Sequence, residues 1–194
     1  FRKIVRSHTD IRTAVGTITP KYPHGDGIPI LTFDLESPQE HALLFLSVFN
    51  SFTFDFILRQ SLGGANLNKY ILKQLPMPTP TEFSNKTVEA NGVREDLDDF
   101  LIDRTRRLVW TSHSLDGLEN EAGIEGPVSW NDDNRAEWEA EINAVIAHIY
   151  DVSRSEFEFI LEEFGVLKQK EVAEFGRYET KIKTLEAYDE VSIV

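Results

Sequence analysis

The stretch SPQEHALLFLSVFNSFTFDFILRQSL, residues 37–62, decides the fold. Ser37 and Glu40 have the spacing of a capping box, Pro38 occupies the first helical position, and Gly63-Gly64 follows as a terminator. Apolar side chains cover nearly every side of the helix that these signals delimit, as in a helix that is buried on most of its surface. The sequence therefore predicts one long buried helix at the centre of the fold.

Two segments before this helix have the composition of β-strands. Residues 11–19 are rich in β-branched side chains and stop at Pro20, and residues 28–33 form a second apolar run. The residues between them, 21–27, include proline, glycine and aspartate, which are typical of a loop. We expect a small β portion here, and a short helix or an extended piece at 66–75 after the long helix.

Helical patterns fill the second half of the chain. Apolar residues at helical spacing predict helices at 94–112 and 135–150, and a second capping box, Ser153 to Glu156, opens a short helix that ends at Gly165. A last helix is expected over 178–188. Strands and a buried helix followed by helices alone predict an α+β fold, in which a small β portion with a long buried helix precedes a mostly α-helical C-terminal part.

The net charge of the 194-residue chain is −13, a balance that argues against a free-standing nucleic-acid-binding protein. Divided after the proline-rich stretch 76–80, the charge is uneven. Residues 1–80 carry eight bases and six acids, whereas residues 81–194 carry 12 bases and 27 acids. We therefore predict two parts with different partners, a slightly basic part over 1–80 and an acidic helical tail over 81–194.

Several classes of chemistry lack the residues that they need. The chain has no cysteine for a disulfide, a thiolate zinc site or a thiol nucleophile, and its five histidines, at positions 8, 24, 41, 113 and 148, lack the spacing of metal ligands. Glu179 and Lys181 resemble half of a nuclease metal site, but a surface ion pair is the favoured interpretation. We predict no catalytic and no metal-binding residues in this chain.

The chain has no candidate membrane span. Its longest uninterrupted apolar run, Ala42–Leu46, has five residues, far below the ~20 that a span needs, so we expect a soluble protein without a membrane partner. The chain begins at Phe1, and Met77 is its only methionine. We therefore interpret the chain as a fragment of a longer protein.

A set of basic and polar residues in the first 80 positions could face nucleic acid. Arginine and lysine anchor phosphates, asparagine and glutamine can hydrogen-bond base edges, and glycine lets backbone N–H groups approach a phosphate. By composition alone, a helix end with a few solvated bases is the favoured interpretation. The set comprises Arg2, Arg6, Arg12, Arg59, Gln60, Gly63, Gly64, Asn66, Asn68, Lys69 and Lys73.

Short motifs follow one another along the chain. They are Arg12-Thr13 with Ile18-Thr-Pro20, Leu46-Ser-Val-Phe-Asn50-Ser51, FDFILRQSLGGANLNKYILKQLPMP at 54–78, EINAVIAHIY at 141–150, FIL at 159–161 and FGRYETK at 175–181. In this order they resemble the end of the TaqI-like target-recognition domain and the helical tail of adenine-specific DNA methyltransferases, of the type IIG and type ISP kinds, from restriction-modification systems. The resemblance covers most of the chain.

The resemblance implies a non-catalytic C-terminal fragment that contributes to DNA target recognition and to docking on the catalytic methyltransferase domain of a bacterial cytoplasmic enzyme. That separate domain would bind S-adenosylmethionine, and no cofactor is expected in this chain, which lacks the Asn- or Asp-Pro-Pro-aromatic motif. The residues that match the family pattern are Arg12, Thr13, Arg59, Gly64, Asn66 and Asn68. With Arg2, Arg6 and Lys69 they form the predicted DNA-binding set.

Two alternatives stay open at this point. Asn50, Ser51 and Asp55 could satisfy buried backbone groups of a helix packed between domains, so a docking role competes with DNA contact for this region. The acidic helical tail could instead be a protein-interaction module that binds a basic surface, without direct contact to DNA.

Overall fold

A computed structural model describes residues 1–6, 9–20, 22–90, 92–118 and 126–194. His8 and Lys21, which entered the predictions above, lie outside these residues. The helices are α1 (Pro38–Phe49), α2 (Phe52–Ser61), α3 (Lys69–Leu72), α4 (Pro80–Phe83), α5 (Leu97–Val109), α6 (Asp132–Ile149), α7 (Arg154–Glu162), α8 (Gly165–Phe175) and α9 (Glu179–Glu190). The strands are β1 (Thr87–Ala90), β2 (Val93–Asp96) and β3 (Ser192–Ile193), and the predicted α+β class is confirmed.

The predicted central helix is two helices, α1 and α2, which meet at a 69° bend. Ser51 begins α2, because its Oγ accepts the backbone N–H of Phe54 at 3.1 Å. The N–H of Phe52 donates to the Oδ1 of Asn143 on α6 at 2.7 Å. Asparagine and serine side chains compete with helical hydrogen bonds, so Asn50-Ser51 ends one helix and starts the next.

The two predicted capping boxes have opposite outcomes. The box at Ser153 and Glu156 is confirmed, with the Glu156 carboxylate accepting the N–H of Ser153 at 2.8 Å. The box at Ser37 and Glu40 is wrong, because Ser37 has a φ of 51° and its side chain caps no N–H group. Ser37 precedes proline, and that position disfavours the helical region.

The glycines near two helix ends do not stop them as predicted. Helix α2 ends at Ser61, before Gly63-Gly64, with Leu62 as its extended C-cap. Gly165 does not end α7 but is the first residue of α8, a helix that the sequence pattern missed. The buried Phe164 joins these two helices, so packing sets the position of this corner.

The predicted strands at 11–19 and 28–33 are wrong, since neither segment pairs as a strand. The sheet lies elsewhere: β1 pairs antiparallel with β2 and with β3, and Val88 lies opposite both Glu95 and Ile193. Gly92 has a φ of 74° between β1 and β2, a conformation that favours glycine in a tight turn. The segment 94–112 was predicted as one helix, but its first residues belong to strand β2 and the helix α5 begins only at Leu97.

One hydrophobic core includes residues from both sides of position 80. Its buried side chains come from the N-terminal segment, α1, α2, β1, α5 and α6, and the largest include Phe49, Phe54, Phe100, Leu101 and Ile146. A second cluster joins α2 to α6, α7 and α9 and comprises Phe52, Ala147, Phe157, Ile160, Leu161, Phe164 and Leu185. Each fully buried large side chain contributes about 1.5–3 kcal/mol of transfer free energy, so the two charge-defined parts are held together mainly by shared apolar packing.

No single helix in the described ranges combines the length and hydropathy of a membrane span. Helices α1 and α2 meet that criterion only when they are counted together across their bend.

Candidate nucleic-acid interface

Asp55 on α2 is the centre of a buried ionic network that contains three of the predicted DNA-binding residues. Its Oδ2 accepts the Nε–H of Arg12 at 2.8 Å and the backbone N–H of Thr13 at 2.9 Å. Its Oδ1 accepts the Nε–H of Arg59 at 3.1 Å. The Asp55 side chain has no solvent exposure, so both cations compensate a carboxylate that would be costly to bury alone.

Aromatic rings cover the two guanidinium groups of this network. The guanidinium carbon of Arg12 lies 4.2 Å from the ring centre of Phe52, and that of Arg59 lies 4.1 Å from the ring centre of Phe164. Arg59 also donates to the carbonyl of Ile11 at 3.1 Å. The fold therefore brings Arg12, Thr13 and Arg59 together. Their hydrogen bonds to Asp55 point into the protein, and the guanidinium of Arg59 lies against Phe164 at the corner between α7 and α8.

The side chain of Asn50 makes hydrogen bonds to the backbone before α1 of the kind that a neighbouring strand would make. Its Oδ1 accepts the N–H of Gly16 at 2.8 Å, and its Nδ2 donates to the carbonyl of the same residue at 3.0 Å. A Cβ on Gly16 would lie 2.9 Å from a methyl of Leu46 and 3.0 Å from the ring of Phe49. Glycine is thus needed for this close approach, and Asn50, like Asp55, satisfies backbone groups within this chain.

Most of the remaining predicted residues lie on two extended segments, 2–6 and 64–68. Ile4 and Asn66 form an antiparallel bridge. The N–H of Val5 donates to Ala65 at 2.9 Å, and the N–H of Leu67 donates to Lys3 at 2.8 Å. Continued by two residues in each direction, this register places Arg2 opposite Asn68 and Arg6 opposite Gly64.

Side chains alternate across these paired segments. Val5 and Leu67 are fully buried in the core, whereas their neighbours Ile4, at 58% exposure, and Asn66 face solvent. The period of two puts Arg2, Arg6 and Asn68 on the same side as these two, where Arg6 is exposed and Arg2 and Asn68 are half-buried. We name this surface the N-terminal face, and it comprises Arg2, Ile4, Arg6, Gly64, Asn66, Asn68 and the adjacent Lys69.

The N-terminal face and its surroundings carry more basic than acidic side chains. Arg2 is held by Asp10 at 3.0 Å and donates to the carbonyl of Arg12. Arg6, Lys69 and the neighbouring Lys73 are exposed and form no ion pair with any residue in the described ranges. Their charges are therefore available to an anionic partner.

Sequence reasoning did not single out Tyr70, which is 63% exposed and follows Lys69 at the start of α3. The signal was present in Lys69-Tyr70, because a base next to an aromatic residue is typical of surfaces on which nucleobases stack.

An apolar groove of about 710 Å³ opens beside this face. Residues 15–19 and 28–33 form its two walls, Phe45 and Leu46 of α1 lie at its base, and Phe1 lies at one end. Ile30 in the wall is 51% exposed. The sequence pattern predicted both walls as strands and did not indicate a groove between them.

Two acidic clefts of about 810 and 390 Å³ lie along α6 and α9 and share Ala140 and Lys183 in their walls. Acids that line them without an ion pair to any described residue are Asp132, Asp133, Glu137, Glu139, Glu171, Glu174, Glu186 and Glu190. Desolvation by the surrounding protein raises the pKa of Glu139, although Arg135 and Arg12 lower it.

The tripeptide that resembled a nuclease motif has an ion-pairing role, though not the predicted one. Lys181 pairs with Glu158 at 2.9 Å and with Glu162, whereas Glu179 pairs with Arg177 at 2.6 Å. Among the described residues, no group of three or more potential metal ligands comes together. His148 stacks on the ring of Tyr188 with 4.1 Å between ring centres.

Comparison with known proteins found no family model, no curated protein and no solved structure that matches this chain.

Proposed function

We propose that this chain is the non-catalytic C-terminal part of an adenine-specific DNA methyltransferase of a restriction-modification system, and that its N-terminal face lies against DNA. The observation that carries the proposal is the exposed positive charge of Arg6, Lys69 and Lys73, which pair with no acid in the described part of a chain of net charge −13. In this proposal, a separate catalytic domain binds S-adenosylmethionine. The present chain docks on that domain through the apolar groove.

The chemistry of the N-terminal face suits a division of roles. Arg6 and Lys69 would neutralise phosphates, and Asn66 and Asn68 have amide groups that can pair with a base edge. Tyr70 offers a ring face for stacking or for packing on a sugar. Arg12, Thr13 and Arg59, which bind Asp55 inside the protein, would hold the face in place and not touch DNA.

The test is a titration of the ¹⁵N-labelled chain with a short mixed-sequence DNA duplex at low ionic strength. We expect chemical-shift changes confined to residues 2–6 and 64–73. The double variant Lys69→Gln/Lys73→Gln should weaken binding about tenfold and reduce the salt slope by roughly 0.9 for each phosphate that is no longer neutralised. The matched control is Lys170→Gln/Lys183→Gln, which removes two lysines from the wall of the larger acidic cleft and should leave binding unchanged.

Two results would contradict this proposal. One is the absence of any shift change at low ionic strength with excess duplex. The other is an equal loss of affinity in both double variants, because general charge rather than the N-terminal face would then control binding.

The acidic clefts favour a second candidate, an interaction module for a basic protein surface. Among the described residues, eight lining acids form no ion pair, and Lys170 and Lys183 are the unpaired bases of the two linings. Apolar side chains such as Ala140, Phe175 and Val191 lie between the acids. A cleft of this kind suits lysine- or arginine-rich polypeptide with a few apolar side chains.

A lysine-alanine peptide titrated into the labelled chain tests this candidate. Shifts along α6 and α9 that disappear at high salt, and that weaken in Glu137→Gln/Glu186→Gln, would support it. Equal binding by the variant and the original chain would remove it.

A further inference from the structure

The apolar groove has the hydrogen-bonding geometry of a sheet with a missing strand. The amino group of Phe1 donates to the carbonyl of Pro29 at 3.1 Å, and the N–H of Lys3 donates to Gly27 at 3.0 Å. This spacing is an antiparallel register in which position 1 lies opposite 29 and position 3 opposite 27. On the other side, the N–H of Arg2 donates to the carbonyl of Val15 at 2.9 Å.

Residues 1–3 therefore lie between the two walls of the groove, joined to them by single backbone hydrogen bonds, and both walls extend beyond Phe1. Within the part of the chain that the structure describes, the backbone N–H groups of residues 30–33 and 17–19 donate no hydrogen bond. Val15, Ile28, Ile30 and Leu31 each have between 39% and 51% of their surface exposed. Open backbone donors beside exposed β-branched side chains are the features of a sheet edge that accepts another strand.

We infer that the groove holds an extended polypeptide strand that continues the line of residues 1–3 backwards from Phe1 and runs antiparallel to residues 30–33. The inference rests on the proposed function, in which the groove docks on the catalytic domain, and it names the part that would enter the groove. Alternate apolar side chains of the strand would pack on Phe45 and Leu46 at the base of the groove.

The position of Phe1 favours a strand that is covalently joined to this chain over a strand from a separate molecule. The backbone of Phe1 already occupies the entrance of the groove and makes the first ladder bond. A separate strand would have to enter beside this backbone instead of continuing its line.

The ladder register makes a prediction for individual amides. Hydrogen-bonded positions recur every second residue, so the strand position two before Phe1 pairs with Leu31 and the position four before it lies opposite Phe33. The N–H groups of Leu31 and Phe33 would point at the added strand, whereas those of Ile30 and Thr32 would point away from it.

The test compares two extensions of about six residues fused before Phe1, one of alternating threonine and valine and one of alternating glycine and serine. Hydrogen exchange of single amides is followed by NMR, together with the thermal midpoint. We expect the threonine-valine extension to raise the midpoint and to slow exchange at Leu31 and Phe33 by at least about tenfold, with Ile30 and Thr32 unchanged. The glycine-serine extension should change none of these, because it has low strand propensity.

Equal exchange rates in the two extended proteins would overturn the inference, as would protection of Ile30 and Thr32 in place of Leu31 and Phe33. Protection of Leu31 in the unextended chain that rises with protein concentration would also overturn it, because a second copy would then fill the groove. Each of these results is independent of the DNA titration, which reports on the N-terminal face alone.

Discussion

Asp55 in the N-terminal part and Asp103 in the C-terminal part each pair with an arginine one helical turn later, at 3.1 Å and 2.8 Å. The surroundings of the two pairs differ. Asp55 is fully buried and also binds Arg12 and a backbone N–H from outside its helix, whereas Asp103 and Arg107 retain 22% and 36% exposure. The same local sequence pattern is thus a structural centre in one region and a surface ion pair in the other.

The comparison extends to how each region satisfies its backbone. In the N-terminal part, irregular segments are held by side chains of α1 and α2, with Asn50 bonding Gly16 and Asp55 bonding Thr13. In the C-terminal part, regular helices satisfy their own backbone, and charges such as Lys181 link neighbouring helices at the surface. Polar substitutions should therefore be far more damaging in the first region than in the second.

The largest effect is expected for Asp55→Ala. It leaves two guanidinium groups and one buried N–H without their acceptor, and should lower the free energy of unfolding by about 3–5 kcal/mol. The control Asp103→Ala removes a pair with the same sequence spacing and should cost less than about 1 kcal/mol. Urea unfolding followed by circular dichroism measures both, and equal losses would break the distinction between the regions.

Arg12→Ala should have the next largest effect, a loss of about 2 kcal/mol, because Asp55 and the Asn50 carbonyl each lose a charged donor. Two arginines serve as controls. Arg154 pairs with Asp189 at 2.6 Å but is half exposed, and Arg6 has no ion pair in the described residues. Their alanine variants should leave the urea midpoint nearly unchanged. A comparable loss in Arg6→Ala would show that the N-terminal face is itself structural and would weaken its assignment to DNA.

The same comparison explains what the sequence could predict. Helices α6 and α9 follow from apolar spacing, and α7 also follows from a capping box, because these signals lie within one turn of the residues that they affect. Residues 11–19 have β-branched side chains but no strand, because their hydrogen-bond partners are Asn50 and Asp55, more than 30 positions away. No local pattern carries that information.

The candidate site divides along the same line. The sequence gathered Arg12, Arg59, Arg6 and Lys69 into one set by residue type. Whether an arginine faces solvent or a buried carboxylate depends on the tertiary fold, so the set separates into an internal network and the N-terminal face. The apolar groove could not be predicted for the same reason, since its walls come together only in the tertiary fold.

The two predicted capping boxes give a smaller, matched test. Ser153→Ala removes a formed cap and should cost about 1 kcal/mol, or about 2–4 °C in the thermal midpoint. Ser37→Ala should change little, because its side chain caps nothing. Ser37→Gly should raise the midpoint slightly, since glycine adopts the φ of 51° without strain. A loss in Ser37→Ala as large as in Ser153→Ala would mean that the first box forms in solution.

The smallest effects concern pH at two glutamates of the acidic part. Desolvation raises the pKa of Glu139 above its ordinary value of 4.5, so ionisation opposes folding there and Glu139→Gln should raise the thermal midpoint at pH 7. Hydrogen bonding to Lys181 lowers the pKa of Glu158, so its charge favours folding and Glu158→Gln should lower the midpoint at pH 7.

The gain from Glu139→Gln should vanish below pH 4.5, where the original carboxyl is protonated in both states. The loss from Glu158→Gln should fade as the pH falls from 4.5 through the lowered pKa of the folded state. Shifts of the same sign at pH 7 would show that Glu139, near Arg12, is held by the N-terminal network as an ion-pair partner and is not an unpaired acid of the cleft.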